Sequence, residues 1–536
     1  MDRSSHTYFK LPILIAVSVA IGFFLGTYVF QDKMVRNDSL KSNIRKFRDV
    51  LSYIEQYYVD SVDTDALTEF AIEQMLTKLD PHTTFVPAKD YEISHAMLQG
   101  DFEGIGIEFN IFRDTLLVLS VVNNGPSEKA GIMPGDKIIE VDGKTIAGPG
   151  VNDREIISML RGKKGSLVKL GVLRQPNDGL MAIEVTRDKI PVKTIDVAYM
   201  VDPSTGFIKV SRFGAKTSDE FEASLENLVK KGATQLILDL RDNGGGYLDK
   251  AISMADEFLP GKKLIVYTDG KDDAFDQQYF AGKKGRFEEG QLVVLINENS
   301  ASASEIVAGA LQDHDRAWLV GRRTFGKGFV QKPILLNDRS ELRLTISRYY
   351  TPSGRSIQKP YLNADNYKDE LMSRYEHGEF FFADSAVMDK STSYYTTNGR
   401  TVYGGGGIMP DSFVPQDTLP TGSFIAKLMH YNVLREYAFQ FGNDNQAMLK
   451  QAGESILLDD RNFDEQVFAG LLRFAKKNGF VYYSDGHEDT YTRDFAINLI
   501  KANIGRRIWG ETVYYQVLHQ RDPYMARAME YFQLNN

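Results

Sequence analysis

Cysteine is absent from all 536 residues, which removes disulfides, thiolate metal sites, a cysteine nucleophile and a lipoprotein acylation site together. A basic excess is absent too. The 63 lysines and arginines are outnumbered by 72 aspartates and glutamates, for a formal charge of −9, so no cationic surface exists on which nucleic acid would accumulate, and nucleic-acid partners are set aside. No HExxH helix is present to hold a metal. The Gly-Asn-Ser-Gly-Gly loop of a Ser–His–Asp protease is not found either. No metal or organic cofactor is therefore expected.

One uncharged run stands out, from Leu11 to Phe30, with Arg3 and Lys10 before it and Asp32, Lys33 and Arg36 after it. A helix of that length spans about 30 Å, the thickness of a bilayer's hydrocarbon core. It is longer than the apolar core of a cleaved signal peptide, although Ser18-Val19-Ala20 imitates a cleavage site. Residues 1–36 are thus expected to form an uncleaved signal anchor, with the preceding positive charges in the cytoplasm and the bulk of the chain outside.

The length predicts about three or four domains. Residues 37–98 read as short helices, with Asp63 to Asp65 offering an N-cap. From 99 to 190 short β-branched segments alternate with the turns Asn124-Gly125, Pro134-Gly135-Asp136 and Asp142-Gly143, a mostly-β module. From 191 to 420 apolar strands alternate with helical stretches, as in an α/β core. Its segment 360–403 is polar, lacks a period and reads as an insertion or long loop. Residues 421–536 return to helical spacing: Phe424, Leu428, Tyr431 and Ala438 share one face, and Val467, Leu471 and Phe474 another.

Three segments of the α/β core carry candidate chemistry. Asn297–Glu305 joins an apolar strand to a helix, where a nucleophilic serine is exposed and the helix's free N–H groups can hold an oxyanion, although Ser and Asn are also plain cap residues. A hydroxyl needs a base, and the eight histidines supply no convincing one; His314 reads as a partner of its helix dipole. Lysine serves if burial lowers its pKa. Lys327, between Gly326 and Gly328, is the candidate, although a lysine so placed is usually a solvated turn residue. Lastly, Asp239–Gly246 follows a buried strand with three consecutive glycines, which let amides approach a ligand closely.

Together these segments resemble the carboxyl-terminal processing proteases, a family of Ser–Lys endopeptidases related in fold to the crotonase-like α/β proteins. The resemblance runs from about Tyr57 to Val414 and includes Leu79–Thr84, Phe102–Gly106, Asp239–Gly246, Ser300–Glu305, Gly326-Lys327-Gly328, Thr351–Gln358 and Gly407–Asp411. It implies a multidomain α/β protein: a crotonase-like protease core, an inserted PDZ domain, and helical N- and C-terminal regions. It also implies that Ser302 is the nucleophile, Lys327 the base and Gln331 the residue that holds the lysine, with the oxyanion at the amides of Ala303 and Gly246. In the PDZ domain, Gly104-Ile105-Gly106-Ile107 would receive a C-terminal carboxylate and Arg161 would couple occupancy to the active site. The expected partners are proteins or peptides with free C-termini and, through the N-terminal helix, the inner membrane; a homo-oligomer or an adaptor is left open. The expected place is the bacterial cell envelope, with the catalytic region in the periplasm, or free there if the anchor is cleaved.

Overall fold

The computed structural model describes residues 38–112, 114–148, 153–174, 179–361, 364–383, 392–417, 424–481 and 490–535. They fall into two units, divided between Leu79 and Asp80. The first holds helices Asp38–Tyr57 and Thr64–Leu76, so the stretch expected to contain short helices begins with one of 20 residues. Asp63 caps the second helix, accepting from Asp65 N and Ala66 N. The expected anchor lies outside the described residues. Among the described residues, no helix is long and apolar enough to cross a membrane.

In the second unit a six-stranded sheet forms the centre of the α/β core: β1 (Ile195–Met200), β2 (Thr205–Val210), β3 (Gln235–Asp239), β4 (Gln291–Ile296), β5 (Trp318–Gly321) and β6 (Ser412–Phe413). Spatial order follows chain order, β1 antiparallel to β2 and every later pair parallel. Parallel strands are covered on both faces, which is why Leu236–Leu238 of β3 and Leu292–Ile296 of β4 are consecutive apolar residues. Helices α1 (Thr217–Lys230), α2 (Leu248–Asp256) and α3 (Ala303–Asp313) contribute to the core on one face, with Phe221, Met254, Val307 and Leu311 packed in one cluster with Leu236, Leu238 and Val294. The other face packs against the chain's last helix.

A second sheet joins Thr84–Val86, Glu341–Tyr350, Leu264–Gly270 and Gln278–Phe280, with Phe329–Leu335 also paired to Glu341–Tyr350. Because Thr84–Val86 joins this sheet before the β module begins, the module is inserted into the core. Its strands Ile107–Phe112, Thr115–Val121, Lys137–Val141, Leu167–Leu173 and Leu180–Thr186 form an antiparallel sheet in that order. Val118, Ile138, Leu170 and Val185 pack there with Ile156 and Leu160 of helix Asp153–Leu160. Asn124 and Asp142 take positive φ, 57° and 50°, each just before the glycine of its turn.

The segment that reads as an insertion or long loop contains helix α4 (Ala364–Glu376) and a hairpin of Ser393–Tyr395 with Thr401–Tyr403. Its lack of an apolar period has a physical cause: it is held by buried ion pairs rather than by a greasy stripe. Arg374 and Glu379 are 4% and 5% exposed. Arg374 bonds Glu379 and the carbonyls of Arg323 and Thr324, while Lys359 donates to Glu370 at 2.9 Å.

The C-terminal region is helical, ending in Thr490–Trp509, Glu511–His519 and α5 (Pro523–Leu534). The face expected to run from Phe424 to Ala438 is broken at Asn432, whose φ of 58° separates two helices; Leu428 and Ala438 are buried, but Tyr431 is 62% exposed. Arg506 reaches Glu108 of the β module at 3.1 Å. α5 covers the second face of the central sheet, with Tyr524, Met525, Ala528 and Phe532 against Ile237, Val293 and Val320.

Arg355 is completely buried and donates to Asp313 at 2.7 Å, Gln312 at 2.8 Å and the Tyr403 carbonyl at 3.1 Å. Removing one partner of a buried pair strands the other charge. Arg355→Ala is therefore expected to cost about 3–5 kcal/mol of stability, read as a lower urea midpoint; an unchanged midpoint contradicts it.

Candidate active site

β4 ends at Ile296 and α3 begins at Ala303, so Asn297–Ser302 is a tight strand-to-helix turn. Ser302 sits at its end with φ 56° and ψ −111°, a conformation costly for a residue with a Cβ. Such strain persists only where the surroundings over-determine it. Of residues 300–313, Ser302 alone is not buried. The turn thus leaves one residue partly open in an otherwise closed segment.

Its neighbours are held from beneath. Ser300 Oγ donates to the Leu240 carbonyl at 2.8 Å and Ser304 Oγ to the Asn243 carbonyl at 2.9 Å, joining the serine turn to the glycine loop. Ala301 N adds a bond to Asn243 O at 3.0 Å. The loop approaches so closely that a Cβ on Gly245 would lie 2.8 Å from Ser302 Cβ. Gly246 takes φ 147°, and a Cβ there would lie 2.1 Å from the Phe213 carbonyl, so only glycine fits. Among the described residues, neither Gly246 N–H nor Ala303 N–H has a hydrogen-bond acceptor. Two free amides beside a partly exposed hydroxyl are what an oxyanion site requires.

Lys327 lies in the connection from β5 to the strand Phe329–Leu335. Gly326, at φ 87°, turns the chain where a Cβ would crowd Gly407 N and Lys359 at 3.1 Å. Lys327 Nζ donates to Gln331 Oε1 at 2.9 Å, and Gln331 Nε2 donates to the His82 carbonyl. A β-bulge between Val330 and Gln331 aims that carboxamide. Asp80 shapes the His82 turn in its own right, accepting from His82 N at 2.7 Å and Thr83 N at 2.8 Å. The Ser302 and Lys327 side chains are not hydrogen bonded to each other in this conformation; Gln331 holds the amine. Burial pushes the Lys327 ammonium below its usual pKa, with Glu305 and Asp80 opposing.

Glu305 joins the two segments. Its Oε2 accepts from Ser302 N at 2.8 Å and Lys327 N at 2.9 Å; its Oε1 accepts from Thr324 Oγ1 at 2.6 Å and Gly326 N at 2.7 Å. Burial pushes its carboxyl up to about 7 while these donors pull down. The Tyr349 hydroxyl, also buried, lies 2.7 Å from Lys327 O and 3.1 Å from Ser302 O. The only sequence signal for Glu305 is its position three residues after Ser302, where it reaches back to the serine's amide. Tyr349 and His82 left no such signal for these roles.

The other expected residues lie elsewhere. His314 follows α3, its Nε2 bonds the Leu264 carbonyl at 2.7 Å, and burial lowers its pKa. His82, bonded to Tyr367 Oη at 2.6 Å, is depressed to about 4 by burial and then by the Lys327 charge. Gly104, Ile105 and Gly106 are buried, Ile105 O accepting from Ser127 and Gly106 O from Val122; Ile107 opens the following strand. The Arg161 guanidinium stacks over Phe102 at 4.8 Å, beside a cavity of about 730 Å³ that includes His95, Glu103 and Lys189. Those contacts are within or next to the β module, not at Ser302 or Lys327.

Residues 204–367 match the model of peptidase family S41, 104–185 that of the PDZ domain, and 424–510 a family of unknown function, DUF8443. A carboxy-terminal-processing protease of Bartonella bacilliformis is 38% identical over 351 residues, 63% of this chain and 80% of the relative. The carboxy-terminal processing protease CtpA of Bacillus subtilis is 33% identical over 386 residues, 68% of this chain and 81% of the relative. Among solved structures, the photosystem II D1 C-terminal processing protease is 25% identical with a TM-score of 0.36, covering 70% of this chain and 88% of that one.

In Glu305→Gln an amide N–H₂ replaces one acceptor oxygen and must face two donors. Labelling of Ser302 by a fluorophosphonate is expected to slow by about tenfold or more while the circular dichroism stays native; labelling at the unaltered rate contradicts the clamp.

Proposed function

The chain belongs to peptidase family S41, among the carboxy-terminal processing proteases, and from that premise we propose that this serine protease works through Ser302 and Lys327. The observation that carries the proposal is the pair of acceptor-free amides, Ala303 and Gly246, beside the one serine of its turn that reaches the surface.

Neutral Lys327 takes the proton as Ser302 Oγ attacks the peptide carbonyl, and the carbonyl oxygen becomes an oxyanion between the two amides. Gln331 Oε1 accepts one N–H of the amine, which leaves the nitrogen lone pair for the serine's proton. Collapse of the tetrahedral species breaks the C–N bond; the lysine ammonium protonates the leaving amine and is neutral again. A water deprotonated by Lys327 then attacks the acyl-enzyme, and the acid product leaves as Ser302 regains its proton. No step calls for a metal.

The PDZ domain, in the same reading, selects substrates. Gly104–Ile107 takes the free C-terminal carboxylate, the peptide adds to a sheet edge, and Arg161 couples occupancy to cleavage. The substrates are envelope proteins, and residues 11–30 anchor the chain in the inner membrane with its catalytic region in the periplasm.

Ser302→Ala and Lys327→Ala are each expected to abolish cleavage of an unfolded substrate with a free C-terminal tail, followed on gels, without unfolding the protein. Full turnover in either variant refutes the assignment.

The pH dependence has a definite sign. Only the uncharged amine can act as base, so turnover is lost on acidification through the Lys327 pKa and recovered above it. Because burial lowers that pKa, the rising limb of kcat/KM is expected to have its midpoint below the ordinary 10.5. A rate that falls as pH rises through the neutral and mildly alkaline range argues against a lysine base.

A further inference from the structure

The DUF8443 match ends at residue 510, and the chain continues through Glu511–His519 into α5. The first turn of α5 reaches the carboxyl ends of the central strands, where both catalytic loops begin. Asp522 caps the helix, accepting from Tyr524 N at 2.9 Å, and its other oxygen lies 2.8 Å from Arg241 Nη1.

Arg241 opens the glycine loop. It also bonds Asp239 twice, Nε to Oδ1 at 2.9 Å and Nη2 to Oδ2 at 2.7 Å. Asp239 is fully buried and has Lys209 3.3 Å away. Two cations, Lys209 and Arg241, thus meet two carboxylates, and the group is neutral only when Asp522 is included. The next residue, Asp242, takes φ 61°; it receives Asn297 Nδ2 and Asn299 Nδ2 at 2.9 Å and returns its own N–H to Asn297 Oδ1 at 2.9 Å. The position of Arg241 is in this way passed to the serine turn.

Tyr524 acts on the same two loops from one ring. Arg241 stacks on it at 4.5 Å and Arg322 lies 5.7 Å from its centroid. Arg322 grips Glu298 of the serine turn through Nε at 2.8 Å and Nη2 at 3.0 Å. The ring rests directly on Gly321, where a Cβ would stand 2.7 Å from Tyr524 Cε1. One arginine governs the loop of Gly246, the other the turn of Ser302, and both meet on the C-terminal helix.

We propose that Asp522 and Tyr524 are positioning residues: the first turn of α5 is a strut that fixes the two amides of the oxyanion site relative to Ser302. This rests on the Ser302 protease reading and extends it to a segment outside the three family-model matches. The test uses the full chain. Ser302→Ala must abolish wild-type turnover; if it does not, the underlying reading fails rather than the strut. Asp522→Asn and Tyr524→Leu are then measured for kcat, KM and fluorophosphonate labelling of Ser302, where the amplitude counts folded sites and the rate constant reports their geometry.

The expected result is an unchanged amplitude and KM with kcat and the labelling rate constant both reduced by about ten- to a hundredfold. Asp522→Glu and Tyr524→Phe, which keep the charge and the ring, should restore most of the loss. Arg527→Ala, an exposed change farther along the same helix, should leave both rates alone. The strut is overturned if Asp522→Asn and Tyr524→Leu keep the wild-type rate constants, or if only the amplitude falls, which would make the helix a stability element alone.

Discussion

A single buried carboxylate sets the geometry on which the site depends. Glu305 is inaccessible to solvent, and its two oxygens serve four donors drawn from the serine turn and the lysine connection. Taking a carboxylate out of water costs several kcal/mol, while each charge-assisted hydrogen bond returns roughly 1.5–3 kcal/mol. One or two donors would not offset that burial. Four offset part of it and leave the carboxyl raised to about 7, so the charged form depends on the donors from Ser302, Thr324, Gly326 and Lys327 together. The clamp therefore ties the serine turn and the lysine connection to each other through one side chain. Because Glu305 belongs to the first turn of α3, the helix carries the clamp and the free amide of Ala303 as one body.

The surrounding charges follow the same logic at longer range. Arg374 crosses from α4 to the carbonyls of Arg323 and Thr324, just before Lys327. Lys359 is 2% exposed, bonded to Glu370 and lying over the rings of Phe325 and Tyr367 at 4.0 and 4.2 Å. Tyr367 in turn meets His82, whose carbonyl receives Gln331. The segment that looks like a polar insertion is thus part of the wall behind Lys327. An insertion merely tolerated at the surface would not bury an arginine, a lysine and a glutamate.

What was legible in the sequence is what short-range chemistry writes down. A serine on a strand-to-helix turn, a lysine between glycines and a run of three glycines are each local, and the fold brings their backbones together. The α/β core, the β module and the helical tail were legible from periodicity for the same reason. What could not be read depends on pairs distant in the chain. Glu305 gives no sign of binding Gly326 and Lys327 until α3 and the lysine connection are packed, and Asp522 lies far along the chain from Arg241. α4 leaves no apolar period because the residues it turns inward include Glu370 and Arg374, held by ion pairs. The break at Asn432 was hidden since an αL residue between two helices leaves the apolar spacing on either side intact.

One electrostatic tension remains, and the geometry resolves it. The proposed mechanism needs a neutral Lys327, yet an ionised Glu305 nearby favours the charged form and works against the lowering that burial produces. Were the carboxylate bonded to the ammonium itself, an ion pair would form and hold the amine in its charged form. Its oxygens are instead committed to main-chain amides and a hydroxyl, including the amide of Lys327 rather than its side chain. The amine is left with a carboxamide, Gln331, as its hydrogen-bond acceptor. A neutral acceptor orients the nitrogen without stabilising its charge as a carboxylate would, so the site obtains the position of an ion pair while leaving the lysine free to lose its proton.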